Sequence, residues 1–162
     1  MDKIFKNAVE VKSVLSQGET LTLVGGCFDL IHVGHLHLLE YAASLEEILV
    51  VAVLSDAYAR KYKNPQRPVI SQKQRAMMVA SIRFVDFVYV SDISTSSPET
   101  LQILRPSSVV FGEEPNNAEK MQQRIKNIAS SSPDTKVRFL PRYDEEEIST
   151  SYIIDKIRKT TI

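Results

Sequence analysis

Residues 47–55 read EILVVAVLS, and the unbroken apolar run in this stretch limits the available folds more than any other feature of the chain. A strand with one wet face alternates apolar and polar side chains. A strand that is apolar on both faces must be covered on both. A parallel sheet with helices packed on each side meets that condition. The rest of the chain supplies the parts. Strand-type runs at 20–24 (TLTLV), 85–90 (VDFVYV), 108–111 (SVVF) and 135–140 (TKVRFL) alternate with helix-type stretches at 33–45, 71–81, 98–104, 116–129 and 148–159. Leu36, Leu39 and Ala43 fall on one face of the first helix. Met121, Ile125 and Ile128 fall on one face of the fourth. Ser71 and Gln74 have capping-box spacing, and Pro98 sits in the first turn of a helix. This order predicts a three-layer α/β fold, a five-stranded parallel sheet with helices on both faces. The length of 162 residues predicts a single domain, 1–162. In such a sheet ligands bind beyond the carboxyl ends of the strands, where the strand order switches.

Composition excludes several classes of function. The formal net charge is zero, whereas nonspecific nucleic-acid binding needs a basic footprint. The one basic stretch, residues 57–85, holds seven cations and no carboxylate, and is offset by the acidic run DEEE at 144–147. No apolar run is long enough to span a bilayer. The single cysteine, Cys27, rules out an intrachain disulfide framework. With no signal-peptide pattern in the first residues, these features predict a cytoplasmic protein that engages neither membrane nor nucleic acid.

Chemistry concentrates in residues 25–35, GGCFDLIHVGH, since His32, His35 and His37 are the only histidines. Three readings compete. A Cys/His/His zinc site would recruit a further ligand, and the chain offers no other Cys or His. A Cys27 nucleophile with a histidine base has no orienting group beyond Asp29, and nothing else in the chain supports acyl transfer. A phosphate cradle fits best. Gly25 and Gly26 admit close backbone approach, and the helix starting near Val33 aims its positive end at the same place. Gly34 removes a side chain between His32 and His35, whose imidazoles can donate to an oxyanion. His37, two residues on, points elsewhere and is expected in packing or at the surface.

These residues resemble a known family. GGCFDLIHVGH matches the G-x-F-D-x-x-H-x-G-H signature of the cytidylyltransferase-like nucleotidyltransferases. SDAYARKYKNPQRPV (55–69) resembles the heptose-phosphate adenylyltransferase branch. QRAMMVASIRFVDFVYV (74–90) resembles the family's arginine-led helix and the strand after it. LPRYDEEEISTSYIIDKI (140–157) resembles the C-terminal segment of glycerol-3-phosphate cytidylyltransferases. The resemblance runs from about Leu21 to Arg158 and implies a Rossmann-like fold. It also implies a reaction: a substrate phosphate attacks the α-phosphorus of a nucleoside triphosphate, CTP or ATP, and pyrophosphate leaves. Mg²⁺ would accompany the triphosphate, the acceptor would be a phosphorylated sugar or polyol, and the protein would be a homodimer.

The same resemblance implies roles. His32, His35, Lys63 and Arg75 would be catalytic. Gly26, Cys27 and Phe28 would offer backbone contacts to phosphate, with Asp29 and Gly34 beside them. Gly112, Glu113 and Glu114 would form the nucleotide-side loop. Ser149, Thr150 and Ser151 would start the helix that holds the β- and γ-phosphates, and Arg142 would reach phosphate as in one branch. No protein-held metal is implied. Plainer roles stand beside these: Ser149 as an N-cap, Lys63 as a solvated cation, Arg75 paired with a carboxylate, Glu113 and Glu114 as loop residues. The chain departs from the family at Glu147, where glycine is frequent, and in the loop FGEEPNN, which lacks the lysine or aromatic of some branches. Two other readings therefore remain: an adenylyltransferase acting on a cofactor precursor such as flavin mononucleotide, and a nucleotide-binding module without turnover.

Overall fold

A computed structural model describes residues 3–45, 47–62, 65–114, 117–141, 143 and 148–160. Six strands, β1 (Ile4–Phe5), β2 (Leu21–Gly26), β3 (Ile48–Leu54), β4 (Phe87–Ser91), β5 (Ser108–Gly112) and β6 (Lys136–Leu140), form one sheet in the order β1-β4-β3-β2-β5-β6. Every pairing is parallel. The expected five strands are thus six. The additional one, β1, has only two residues, too few to show any periodicity, and it pairs with β4 at the sheet edge. The helices are α1 (Ala8–Val14), α2 (Val33–Ala43), α3 (Asp56–Tyr62), α4 (Gln72–Ala80), α5 (Pro98–Leu104), α6 (Ala118–Ser131) and α7 (Thr150–Thr160). None of the described helices is long and apolar enough to cross a membrane.

β3 explains the apolar run. Leu49 through Val53 are fully buried, and successive side chains go to opposite faces. Val50 and Ala52 join Val11, Leu101, Leu104 and Ile128 in the layer carrying α1, α5 and α6. Leu49, Val51 and Val53 join Leu39, Ala42, Ala76 and Val79 in the layer carrying α2 and α4. The buried face of α2 is Leu39 and Ala42. Leu36, expected on that face, is 38% exposed, and the buried side of the helix runs through Leu39 and Ala42 instead.

Capping differs from expectation at α4. Ser71 is its N-cap but makes no side-chain cap bond. Its hydroxyl instead donates to Gln74 Oε1 at 2.9 Å. A hydroxyl rotor can serve either partner, and a cap bond would need it to accept. At α5 Pro98 opens the helix as read, and Ser97 caps it by accepting from the Thr100 N–H.

The chain runs outward from β2 through β3 to β4, then crosses to β5 on the other side of β2. The order therefore switches between β2 and β5. The loop leaving β2 carries residues 27–32, and Gly112 ends β5, so both lie at the crevice where this topology opens.

Leu39 couples the core to this edge, being fully buried on the helix that follows the loop. Leu39→Ala is expected to lower stability by about 2–5 kcal/mol, read from the midpoint of urea unfolding.

Candidate active site

The site is assembled from one loop and the elements that clamp it. After β2 the backbone turns sharply, with positive φ at Phe28 (54°) and Leu30 (48°). Non-glycine residues hold this left-handed region only where the surroundings enforce it. Here they do. The buried Asp29 carboxylate accepts the Val69 and Ile70 N–H groups at 2.9 and 3.0 Å. The Asp29 carbonyl accepts the Thr150 hydroxyl at 2.7 Å. Asp29 is thereby a clamp that joins the loop, the segment before α4 and the start of α7.

Arg75 completes the clamp from below. Its side chain is fully buried. Nε donates to Ile70 O at 2.9 Å, Nη1 to Cys27 O, and Nη2 to Leu54 O and Asp56 Oδ1, both at 2.8 Å. The structure therefore puts the Arg75 guanidinium beneath the loop, not in the open crevice. It pairs with a carboxylate, the plainer of its two expected roles.

The histidines sit at the start of α2 and cap one another. His32 is the N-cap. The Gly34 N–H donates to His32 Nδ1 at 3.2 Å, and the His32 N–H donates to His35 Nδ1 at 3.4 Å. An Nδ1 that accepts carries no proton, so each neutral ring carries its proton on Nε2. Burial lowers the His32 pKa from its ordinary 6.5, which favours the neutral ring. The two ring centroids lie 3.9 Å apart, and the Phe28 ring supports His35 at 5.3 Å. Gly34 lies close against the capping ring. A Cβ there would sit 3.0 Å from His32 Cε1, so any larger residue would press on the imidazole that caps the helix. Gly25 and Gly26 follow the same logic, since a Cβ would meet the Thr95 side chain at the first and the Phe28 ring at the second.

Two cavities open on this edge. A cavity of about 240 Å³ is lined by His32, His35, His37, Glu113, Tyr143 and Ser149, among others. It brings together the expected residues of the histidine loop, the loop after β5 and the start of α7. His37 packs its ring 5.0 Å from that of Tyr143 and also faces this cavity. Ser149 caps α7 by accepting the Tyr152 N–H at 3.1 Å, which leaves its O–H available to donate. Its two neighbours serve elsewhere: Thr150 binds Asp29, and Ser151 accepts from Arg67 at 3.2 Å. Lys63, Arg142 and the run 144–147 lie outside the described residues. Among the described residues no group of three His, Cys, Asp or Glu side chains is placed to hold a metal ion.

The second cavity, about 410 Å³, lies on the other side of Gly112 and Glu114, which line both. Gly25 and Gly26 form its floor. Its walls carry Tyr58 and Tyr62, with rings 4.6 Å apart, the Ser94–Ser96 hydroxyls, and Lys120, Gln123, Arg124 and Asn127 from α6. None of these wall residues was singled out from the sequence. The signal was present in α6: four polar side chains at i, i+3, i+4 and i+7 form a second stripe beside the apolar one.

Known proteins resemble this chain in sequence and in fold. A family model described as Cytidylyltransferase-like matches residues 23–156. The chain is 35% identical over 158 residues to Bifunctional protein HldE of Campylobacter jejuni strain RM1221, covering 97% of this chain and 32% of that protein. It is 36% identical over 142 residues to Bifunctional protein HldE of Helicobacter pylori strain ATCC 700392 / 26695, covering 88% of this chain and 28% of that one. The chain thus spans about a third of the length of these curated relatives. Two solved structures share the fold. A lipopolysaccharide core biosynthesis protein from Thermoplasma volcanium superposes with TM-score 0.62 at 24% identity, over 78% of this chain and 100% of its own. Pantothenate synthetase from Thermus thermophilus superposes with TM-score 0.68 at 15% identity, over 98% of this chain and 70% of its own.

The capping geometry predicts an NMR result. At pH 7.5, ¹H–¹⁵N imidazole spectra show the Nε2–H tautomer for both His32 and His35, and His32 titrates below 6.5. A proton on either Nδ1 would undo the assignment. The linkage has a definite sign. With the folded pKa below the unfolded one, the unfolded chain binds more protons between the two values, so stability falls as pH drops through that window. A second expectation concerns Arg75. Arg75→Met strands the half-buried Asp56 carboxylate and the carbonyls of Cys27 and Leu54, and is expected to cost about 3–5 kcal/mol in urea unfolding.

Proposed function

The chain belongs to the cytidylyltransferase-like family, and on that premise we propose that it transfers a nucleotidyl group from ATP or CTP to a phosphorylated small molecule, a sugar or polyol phosphate, with release of pyrophosphate. The observation that carries this reading is the mutually capped histidine pair. Each ring accepts a backbone N–H at Nδ1 and so carries a proton on Nε2, and the two stand side by side at the positive end of α2, on a cavity that also receives Ser149.

The mechanism follows from the two cavities. The triphosphate occupies the histidine cavity, with its α-phosphate against His32 and His35. The acceptor occupies the 410 Å³ cavity, whose tyrosines, hydroxyls and amides suit a polyhydroxyl compound. An oxygen of the acceptor phosphate forms a bond to the α-phosphorus, and the bond from α-phosphorus to the bridging β-phosphate oxygen breaks. Pyrophosphate leaves with that electron pair. The attacking oxygen is already anionic, so the protein need only position the groups and neutralise charge. The imidazole donors meet the oxygens that gain charge in the transition state. Mg²⁺ would enter with the triphosphate, whose oxygens are its natural ligands. It supplies charge neutralisation of the pyrophosphate being released.

Arg75 and Asp29 act in this scheme by positioning the loop. Lys63 and Arg142 keep the phosphate-contacting roles suggested by the resemblance. The HldE relatives support a sugar phosphate as acceptor over flavin mononucleotide, and support turnover over binding alone. The homodimer has a surface available in the exposed Tyr152 and Ile157 of α7, and the single cysteine is in keeping with a reducing cytoplasm.

The decisive experiment measures pyrophosphate release with Mg²⁺, a set of triphosphates and a set of sugar and polyol phosphates. Turnover with one pair is expected, and its absence with every pair from folded protein would sink the proposal. His35→Ala is expected to lower turnover by about two orders of magnitude, the scale for losing one transition-state donor, while loss of its capping bond to the His32 N–H costs about 0.5–2 kcal/mol in urea unfolding.

A further inference from the structure

The 410 Å³ cavity holds a cationic pair that the histidine-centred reading leaves unused. Lys120 and Arg124 lie one turn apart on α6 and share one carboxylate, Glu114. Lys120 Nζ donates to both Glu114 oxygens, at 2.9 and 3.2 Å. Arg124 Nη2 lies 3.0 Å from Glu114 Oε1. The Arg124 guanidinium carbon also lies 4.6 Å from the centre of the Phe111 ring, within cation–π range. Two cations thus face one anion, and the cluster keeps a unit of positive charge inside a cavity.

We propose that Lys120 and Arg124 form the binding site for the acceptor's phosphate, and that Glu114 is a resident counter-ion which the incoming phosphate displaces. This rests on the nucleotidyl-transfer reading for the identity of the ligand, although the anion site is argued from geometry. A guanidinium presents its donors as a planar fork suited to phosphate, and the nearby Phe111 ring restricts how far this one can move. A dianionic phosphate matches the pair better than one carboxylate does. Gln123 and Asn127, joined by a 2.7 Å hydrogen bond, continue the stripe along α6 and can donate to hydroxyls of the same ligand.

Glu114 has a physical reason to be there. Burial raises its pKa, but the hydrogen bond from Lys120 and the charges of Arg124 and Lys120 outweigh this and leave it below the ordinary carboxylate value. It is therefore ionised across the neutral range and prevents two close cations from facing each other unscreened. It lines both cavities, so its release by the acceptor would occur at the boundary the attacking oxygen must cross.

The test begins with inorganic phosphate, titrated while ¹H–¹⁵N spectra follow the Arg124 Nε–H. A saturable shift is expected that persists in His35→Ala, which separates this site from the histidine cavity. Arg124→Gln and Lys120→Gln each weaken phosphate binding about tenfold, the scale for one charge-assisted hydrogen bond. Arg124→Lys restores part of the loss. Glu114→Gln strengthens binding severalfold, because the competitor is gone. No saturable shift at Arg124, or a Glu114→Gln variant that binds phosphate no better, overturns the proposal. The kinetic arm uses whichever acceptor turns over. Arg124→Gln should raise the acceptor KM about tenfold and leave the triphosphate KM unchanged, and the reverse pattern overturns the assignment. If no acceptor turns over, nucleotidyl transfer fails on its own terms, and the phosphate titration alone decides the anion site.

Discussion

The buried Arg75 guanidinium is the interaction on which the rest of this edge depends. A cation cannot be taken out of water unless its charge and its N–H groups are matched. Here Asp56 supplies the charge, and three backbone carbonyls, those of Cys27, Leu54 and Ile70, take donors. These acceptors come from the loop after β2, the end of β3 and the segment before α4. One side chain therefore fixes three separate pieces of chain that would otherwise drift apart at the open end of the sheet. Asp29 works from the opposite side of the same join, through the Val69 and Ile70 amides. With both in place the left-handed backbone at Phe28 and Leu30 is over-determined, which is the condition for such strain to persist.

What the clamp holds in register is a pair of rings that define each other chemically. N-caps are usually hydroxyls or carboxamides, which satisfy the helix and do little else. Using an imidazole commits one nitrogen to the helix and, by doing so, assigns the proton to the other. His32 and His35 do this reciprocally. The helix end is capped, and the same two bonds select the tautomer suited to an anion. The arrangement also accounts for the small residue at Gly34, where a Cβ would crowd the capping ring.

Much of this was legible in the sequence. The apolar run of β3, the alternation of strands and helices, and the two histidines at a helix start follow from local spacing. The edge strand β1 did not, because two residues carry no period. The side chain of Ser71 did not, because spacing cannot tell whether a hydroxyl donates or accepts. Arg75 was read toward phosphate from its match to the family's helix-opening arginine, with a carboxylate partner as the alternative; three of the acceptors that bury it lie 19, 21 and 48 residues away, beyond any local pattern. Ser149, Thr150 and Ser151 look equivalent in a row, yet a helix start turns successive residues to different sides. Only Ser149 lines the histidine cavity. The α6 stripe was present in the sequence too, but the apolar row of Met121, Ile125 and Ile128 hid the polar row beside it.

Gly112 then acquires a meaning that turn geometry does not give it. It adopts no unusual backbone angle, and a Cβ there would meet no atom within 4 Å. Neither conformation nor packing requires glycine. Its place does: it ends β5, at the switch in strand order, and lines both cavities. A side chain would project into open space at their shared boundary. Transfer between two substrates held in separate cavities needs the reacting atoms within about 3–3.5 Å of each other, so that boundary must be bare. Gly25 and Gly26 are small because protein side chains press on them. Gly112 is small because, on the proposed chemistry, the two substrates must meet there.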